Sequence, residues 1–157
     1  MLTYIALGSN LGDRQHAIME AVAALTEIVG PLQALSSIHE TEPVDMPAGT
    51  PAFLNAVAAF DTTLSPAQLL YVTQAIEQAM GRTEKSHIET SEETGEATLI
   101  HPDRIIDIDI LTLGDLRLDN EEVLPGQRLT LPHPRMAERP FVMEPLREIT
   151  SNPNINP

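Results

Sequence analysis

Arg104-Ile105-Ile106-Asp107-Ile108-Asp109-Ile110-Leu111 places two aspartates two residues apart in a run of isoleucines. Side chains alternate across an extended strand, so Asp107 and Asp109 share one face while Ile106, Ile108 and Ile110 share the other. The two carboxylates then stand roughly 6–7 Å apart on a stiff backbone. Aspartate is disfavoured in strands, so the pair carries a local cost beside its β-branched neighbours. Two readings stand on these residues alone. One is a half-buried strand with a wet face; the other is an oxygen-only site for a hard cation such as magnesium.

The flanks add to the second reading. In His101-Pro102-Asp103-Arg104, Pro102 fixes an extended entry and Arg104 brings a guanidinium toward the carboxylates. A cation beside a di-aspartate suits a metal-bound polyphosphate, because metal and arginine neutralise different phosphate oxygens. Gly114-Asp115 is a turn signal that ends the strand, and Leu116-Arg117-Leu118 is expected to return as a short hairpin partner.

Upstream, strand 2–7 runs into the loop Gly8-Ser9-Asn10-Leu11-Gly12, and Asp13 caps a helix to about Val29. Ile18, Val22, Leu25 and Val29 lie on one face of it, and Gly30-Pro31 stops it. Residues 33–41 and 53–61 read as strands, separated by a Pro- and Gly-containing loop from Pro43 to Pro51. Ser65-Pro66-Ala67-Gln68 is a capping box with proline at the first helical position. The helix it opens buries Leu69, Val72, Ile76 and Met80 and ends at Gly81. Periodicity is lost from Thr83 to Ile100, which reads as a mobile surface loop, with disorder the simplest description. Beyond the aspartate strand the chain to Ile149 reads as loops, with a short strand near Leu129-Thr130-Leu131 and a short helix around Arg135–Glu138. The tail, 151–157, reads as frayed. Strand, helix, strand, strand, helix, strand is the order of an α+β ferredoxin-like sandwich, mostly antiparallel with helices on one face.

The 157 residues, 42% of them hydrophobic, suffice for one domain with a real core, and no apolar run is long enough to cross a membrane. Met1–Leu7 reads directly as a strand rather than a secretory leader. With no cysteine, disulfides and thiolate metal sites are excluded, as suits a reducing cytoplasm. A net charge of −14 argues against nucleic-acid or anionic-membrane binding. It also requires that any nucleotide be met by locally gathered cations. Arg82, Lys85, Arg104, Arg128 and Arg139 are five of only nine Lys and Arg residues, and all fall in the segments of interest.

Three further clusters are ambiguous taken singly. Gly8-Ser9-Asn10-Leu11-Gly12-Asp13-Arg14 has neither the Walker lysine nor dinucleotide glycine spacing, so a strand-to-helix turn is the better reading. Leu131-Pro132-His133-Pro134-Arg135-Met136-Ala137-Glu138-Arg139-Pro140-Phe141 is a stiff loop that suits a surface turn or a nucleotide-positioning segment. No ordered ligand spacing joins His133 to the aspartates as a zinc site. Phe53 and Phe141, with Asn55 two residues past the first, suit core filling or the stacking and edge-reading of a flat heteroaromatic substrate.

Together these segments resemble the 6-hydroxymethyl-7,8-dihydropterin pyrophosphokinase family. The resemblance runs from Tyr4-Ile5-Ala6-Leu7-Gly8-Ser9-Asn10-Leu11-Gly12 through Phe53-Leu54-Asn55-Ala56, Gly81-Arg82 and the Arg104–Leu111 strand. It continues through Leu131-Pro132-His133 and Arg139-Pro140-Phe141 to Pro145-Leu146, covering nearly the whole chain. It implies an ATP-dependent diphosphokinase of folate biosynthesis that passes pyrophosphate to a pterin alcohol and releases AMP. By the same resemblance, Asp107 and Asp109 hold two Mg2+ ions and Arg82, Arg104, Lys85 and Arg139 grip phosphates. Gln74, Arg128, Thr130 and His133 match nucleotide-holding positions. Phe53 and Phe141 sandwich the pterin, while Asn55, Thr41 and the backbone of Val44 read its edge.

The chain departs from the family pattern at Glu84, where a second arginine is usual, and at His101-Pro102-Asp103, which replaces Trp-Gly-Pro. The intervening loop is longer than usual and acidic, and Lys85 is the available substitute for the missing arginine. The expectation is one cytoplasmic domain over 1–157, a monomer that acts on the two small molecules and binds neither nucleic acid nor membrane. Its rivals are a two-metal phosphohydrolase using the same aspartates, and a non-catalytic acidic domain that binds metal or a partner protein.

Overall fold

The computed structural model describes residues 1–42, 52–81, 87–90, 95, 97–100 and 105–150, with 87–90 and 97–100 described as backbone only. Strand β1 (Leu2–Ser9) leads into α1 (Arg14–Ile28), whose first turn is capped by Asp13 accepting from the His16 N–H at 3.1 Å. Gly30 ends the connection at φ +153, and a Cβ there would lie 1.8 Å from the Asp61 carbonyl oxygen, so only glycine fits. The expected strand 33–41 is two strands, β2 (Leu32–Leu35) and β3 (His39–Thr41). The reason is Ser36, whose Oγ accepts from the Val57 N–H at 2.9 Å and so interrupts the backbone ladder. β4 (Phe53–Asp61) follows, then α2 (Pro66–Ala79). Its capping box is complete: Gln68 N–H donates to Ser65 Oγ at 3.2 Å, and Ser65 N–H donates to Gln68 Oε1 at 2.9 Å.

Within the stretch read as a mobile loop lie two strands, β5 (His87–Thr90) and β6 (Ala97–Ile100), paired antiparallel as a separate two-stranded sheet. This corrects the reading: backbone pairing supplies order that a Thr- and Glu-rich composition does not announce. β7 (Asp107–Leu113) ends at the Gly114-Asp115 turn as expected. Leu116–Leu118 does not return along it. Instead β8 (Leu118–Leu124) pairs with β9 (Gln127–Leu131), and a 3-10 turn (Met136–Glu138) and α3 (Pro140–Thr150) complete the described chain. α3 corrects the expectation of loops to Ile149.

The main sheet has the order β2-β4-β1-β7, with β3 also on β4, and every pairing is antiparallel. On one face α1 and α2 cover Ile5, Leu7, Ala58, Phe60, Ile108 and Ile110 with Ile18, Leu25, Leu69 and Ile76. This is the ferredoxin-like layer expected. On the other face α3 covers Tyr4, Ala6, Val57, Ala59 and Leu111 with Val142, Leu146 and Ile149. Each fully buried Leu, Ile or Phe contributes about 1.5–3 kcal/mol, so both faces are held by apolar burial. Among the described residues no helix is long and apolar enough to cross a membrane.

Candidate active site

Register builds the site. His39 pairs with Asn55, Asn55 with Gly8, and Gly8 with Asp107, so one row crosses β3, β4, β1 and β7. Directly opposed residues project to the same face. Asp109 pairs with Ala6, which lies under α3, so Asp107 and Asp109 belong to the α3 face while Ile108 and Ile110 enter the other core. The alternation expected of this strand is the one observed.

A cavity of about 230 Å³ opens over that row, lined by Gly8, Thr41, Phe53, Asn55, Asp107, Asp109, Arg139 and Phe141 among others. Thr41 stands opposite Phe53 across β3 and β4, and Phe141 comes from the first turn of α3. Asn55 Nδ2 donates to Thr41 Oγ1 at 2.7 Å, which fixes the amide plane. A Cβ at Gly8 would come within 3.3 Å of Asn55 Oδ1 and 3.9 Å of the Phe53 ring, so the absent side chain keeps the floor open. The Arg139 guanidinium carbon lies 5.6 Å from the Phe141 ring centroid, close enough for cation–π attraction.

A second cavity, about 790 Å³, runs along the outer edge of β7 between α2 and β9. It is lined by Gln74, Glu77, Arg128, Thr130, His133 and again Asp107, Asp109 and Arg139. The aspartates and Arg139 therefore border both spaces. Arg128 Nε donates to the Asn120 carbonyl at 2.8 Å, and Thr130 Oγ1 accepts from the Asn120 N–H at 3.0 Å, anchoring both on the β8–β9 hairpin. The His133 N–H donates to the Leu111 carbonyl at 2.8 Å, tying its loop to β7. Burial first, then Arg139 and Arg135, hold the His133 ring below the usual imidazole pKa. Its Nδ1 accepts from the Arg135 N–H at 3.2 Å, so the neutral ring carries its proton on Nε2.

Of the residues singled out from sequence, Thr41, Phe53, Asn55 and Phe141 share the smaller cavity, and Gln74, Arg128, Thr130 and His133 the larger. Val44, Arg82, Lys85 and Arg104 lie outside the described residues. Glu77 was missed. It is buried, and its Oε2 accepts from the Ile108 N–H at 2.9 Å, between the two aspartates. Its signal was a second helical stripe, Leu70, Thr73, Gln74 and Glu77, at i, i+3, i+4 and i+7 beside the apolar one.

Among the described residues no group of three or more His, Cys, Asp or Glu forms a metal cage. Asp107 and Asp109, both half-buried, present oxygen-only donors of the kind that suit a hard cation.

The ferredoxin-like sheet thus sets a carboxylate pair between an aromatic-walled cavity and a larger polar one. Residues 4–151 match the family model of 7,8-dihydro-6-hydroxymethylpterin-pyrophosphokinase (HPPK). The 2-amino-4-hydroxy-6-hydroxymethyldihydropteridine pyrophosphokinase of Porphyromonas gingivalis is 40% identical over 151 residues, covering 94% of this chain and 90% of that one. The enzyme of the same name from Bacillus subtilis is 39% identical over 149 residues, covering 94% and 77%. A crystal structure of Plasmodium falciparum HPPK-DHPS triple mutant with pteroate aligns at a TM-score of 0.64 and 16% identity. That alignment covers 93% of this chain but 39% of the longer one, and it bears on the fold alone. The chain belongs to the HPPK family, the ATP-dependent diphosphokinases of folate biosynthesis that transfer pyrophosphate to hydroxymethyldihydropterin.

Proposed function

We propose that the smaller cavity takes the pterin and the larger one ATP, with pyrophosphate passing between them at Asp107 and Asp109. The observation that carries this is the shared border: Asp107, Asp109 and Arg139 line both spaces. Phe53 and Phe141 stack on the pterin faces, while Asn55, Thr41 and the Val44 backbone read its edge. Gln74, Arg128, Thr130 and neutral His133 hold the nucleotide, His133 donating from Nε2.

Asp107 and Asp109 would hold the two Mg2+ ions, which would lower the cost of charge on the β-phosphoryl group. Arg139 meets the phosphates from the junction of the cavities and braces Phe141 at the same time. Arg82, Lys85 and Arg104 supply the remaining positive charge that a polyphosphate needs in a chain of net charge −14. The pterin hydroxyl, fixed by stacking and edge contacts, attacks the β-phosphorus in line, and AMP leaves. The protein works in the cytoplasm as a monomer on these two small molecules, without nucleic acid.

The assignment of cavities is tested by titrating pterin and a non-hydrolysable ATP analogue separately into Phe141→Ala. Stacking contributes about 1–3 kcal/mol per base-sized ring, so pterin affinity should fall roughly 5- to 150-fold. Analogue affinity should stay near that of the unaltered protein. Equal loss of both affinities would make Phe141 a packing residue and refute the division.

A further inference from the structure

At the end of α3 remote from the aspartates, Glu148 is held by three donors from the β2–β3 segment. The Ser37 N–H donates to its Oε1 at 3.0 Å, Ser37 Oγ reaches Oε1 at 2.8 Å and Oε2 at 2.9 Å, and His39 Nε2 pairs with Oε2. His39 first, then the Ser37 backbone and hydroxyl, keep the Glu148 carboxyl below its ordinary pKa.

Both ends of this clasp lead back to the smaller cavity. On α3, Phe141, Pro145 and Glu148 recur at i, i+4 and i+7, so Phe141 and Glu148 share a helix face about 10 Å apart. On β3, His39 is the direct cross-strand neighbour of Asn55, and Thr41, two residues on, projects to the same side. The clasp therefore joins the helix that carries Phe141 to the strand that carries Thr41. The apolar part of the α3 interface is built on Val142, Leu146 and Ile149. Apolar packing holds a helix on a sheet but tolerates sliding, whereas a carboxylate shared by a backbone N–H, a hydroxyl and an imidazole fixes both distance and rotation.

We propose that Glu148, gripped by Ser37 and His39, is a positioning residue for the pterin: it sets where Phe141 stands over the Asn55–Gly8 floor. The clasp is partly exposed, and exposed ion pairs contribute little to global stability. Its effect is thus on the geometry of the pterin cavity rather than on folding. The proposal rests on the assignment of that cavity to the pterin.

The test is pterin titration, at saturating ATP analogue, of Glu148→Ala, Glu148→Gln, Ser37→Ala and Phe141→Ala, with thermal unfolding and analogue affinity measured alongside. Glu148→Ala should weaken pterin binding about 5- to 20-fold, as sub-ångström misplacement of a binding wall does. Analogue affinity should change less than about 2-fold, because the larger cavity does not border the clasp. Ser37→Ala, which keeps the backbone N–H, should show a smaller loss, and Glu148→Gln, which keeps an acceptor for it, should recover most of the affinity. If Phe141→Ala weakens pterin binding while Glu148→Ala does not, the clasp has no positioning role and the cavity assignment survives. Loss of both ligands in proportion to lost stability would reduce Glu148 to a structural contact and overturn the proposal. A silent Phe141→Ala would overturn the cavity assignment and the clasp together.

Discussion

His133 shows how a single residue is set by its neighbours. Burial and two arginines favour its neutral form, so the folded state binds fewer protons than the unfolded one near the ordinary imidazole pKa. Its contribution to stability is complete above the unfolded value of about 6.5 and is lost as pH falls through that value toward the lower folded one. Glu148 titrates in a different range: with its pKa lowered by His39 and Ser37, it stays ionised across the interval in which His133 titrates. Urea unfolding at pH 7.5 and 5.5 separates them. The loss of stability over that interval should be shallower in His133→Gln than in the unaltered protein, by a slope of less than about one proton. An identical pH slope would mean the ring titrates normally in the folded state. The sequence singled out His133 from its proline-bounded loop, but its tautomer depends on the Arg135 N–H and its pKa on burial, neither of which a linear motif specifies.

The elements legible in the sequence were those whose pattern is local. The Asp13 cap, the Ser65–Gln68 box and the alternation of β7 each depend on residues within a few positions of one another. α3 was not legible because Pro140 and Pro145 argue against a helix. Pro140 occupies the first helical position, where proline is favoured. Pro145 breaks a local rule, and burial of Val142, Leu146 and Ile149 on the sheet outweighs it. What meets the outer edge of β7 could not be read either: Glu77 and the His133 loop reach it through contacts that span 31 and 22 residues of chain. The segment between α2 and β7 raises a question of charge. Glu84 and Lys85 lie outside the described residues, and Glu89, Glu92, Glu93 and Glu96 follow between two arginines assigned to phosphates. Like-charge repulsion in a wet site is about 1 kcal/mol or less per pair and is screened by salt. Glu84→Arg should therefore raise turnover or tighten ATP binding by up to about 5-fold, and Lys85→Ala should do the reverse, both effects shrinking at high salt. Steady-state kinetics at low and high ionic strength measure this. A silent Lys85→Ala with a harmful Glu84→Arg at every salt concentration would assign Glu84 a positive role.

At the scale of the whole molecule, the sheet does two jobs with its two faces. One face is sealed by α1 and α2 and anchors the isoleucines of β7. The other is covered by α3 only as far as its first turn, leaving the row from Asn55 to Asp107 open beneath Phe141. β7 lies at the end of the sheet order, so its carboxylates meet both the face cavity and the edge cavity. A pair of carboxylates in the middle of the sheet would border the first alone. That these two aspartates are where the substrates meet is tested most directly by turnover of ATP and 6-hydroxymethyl-7,8-dihydropterin by Asp107→Ala and Asp109→Ala, with products identified by mass. Each variant should form the pterin pyrophosphate and AMP roughly 10²–10⁴-fold more slowly, since several kcal/mol of transition-state stabilisation is lost, while pterin binding measured without magnesium changes little. Turnover near that of the unaltered protein in both variants would contradict the account.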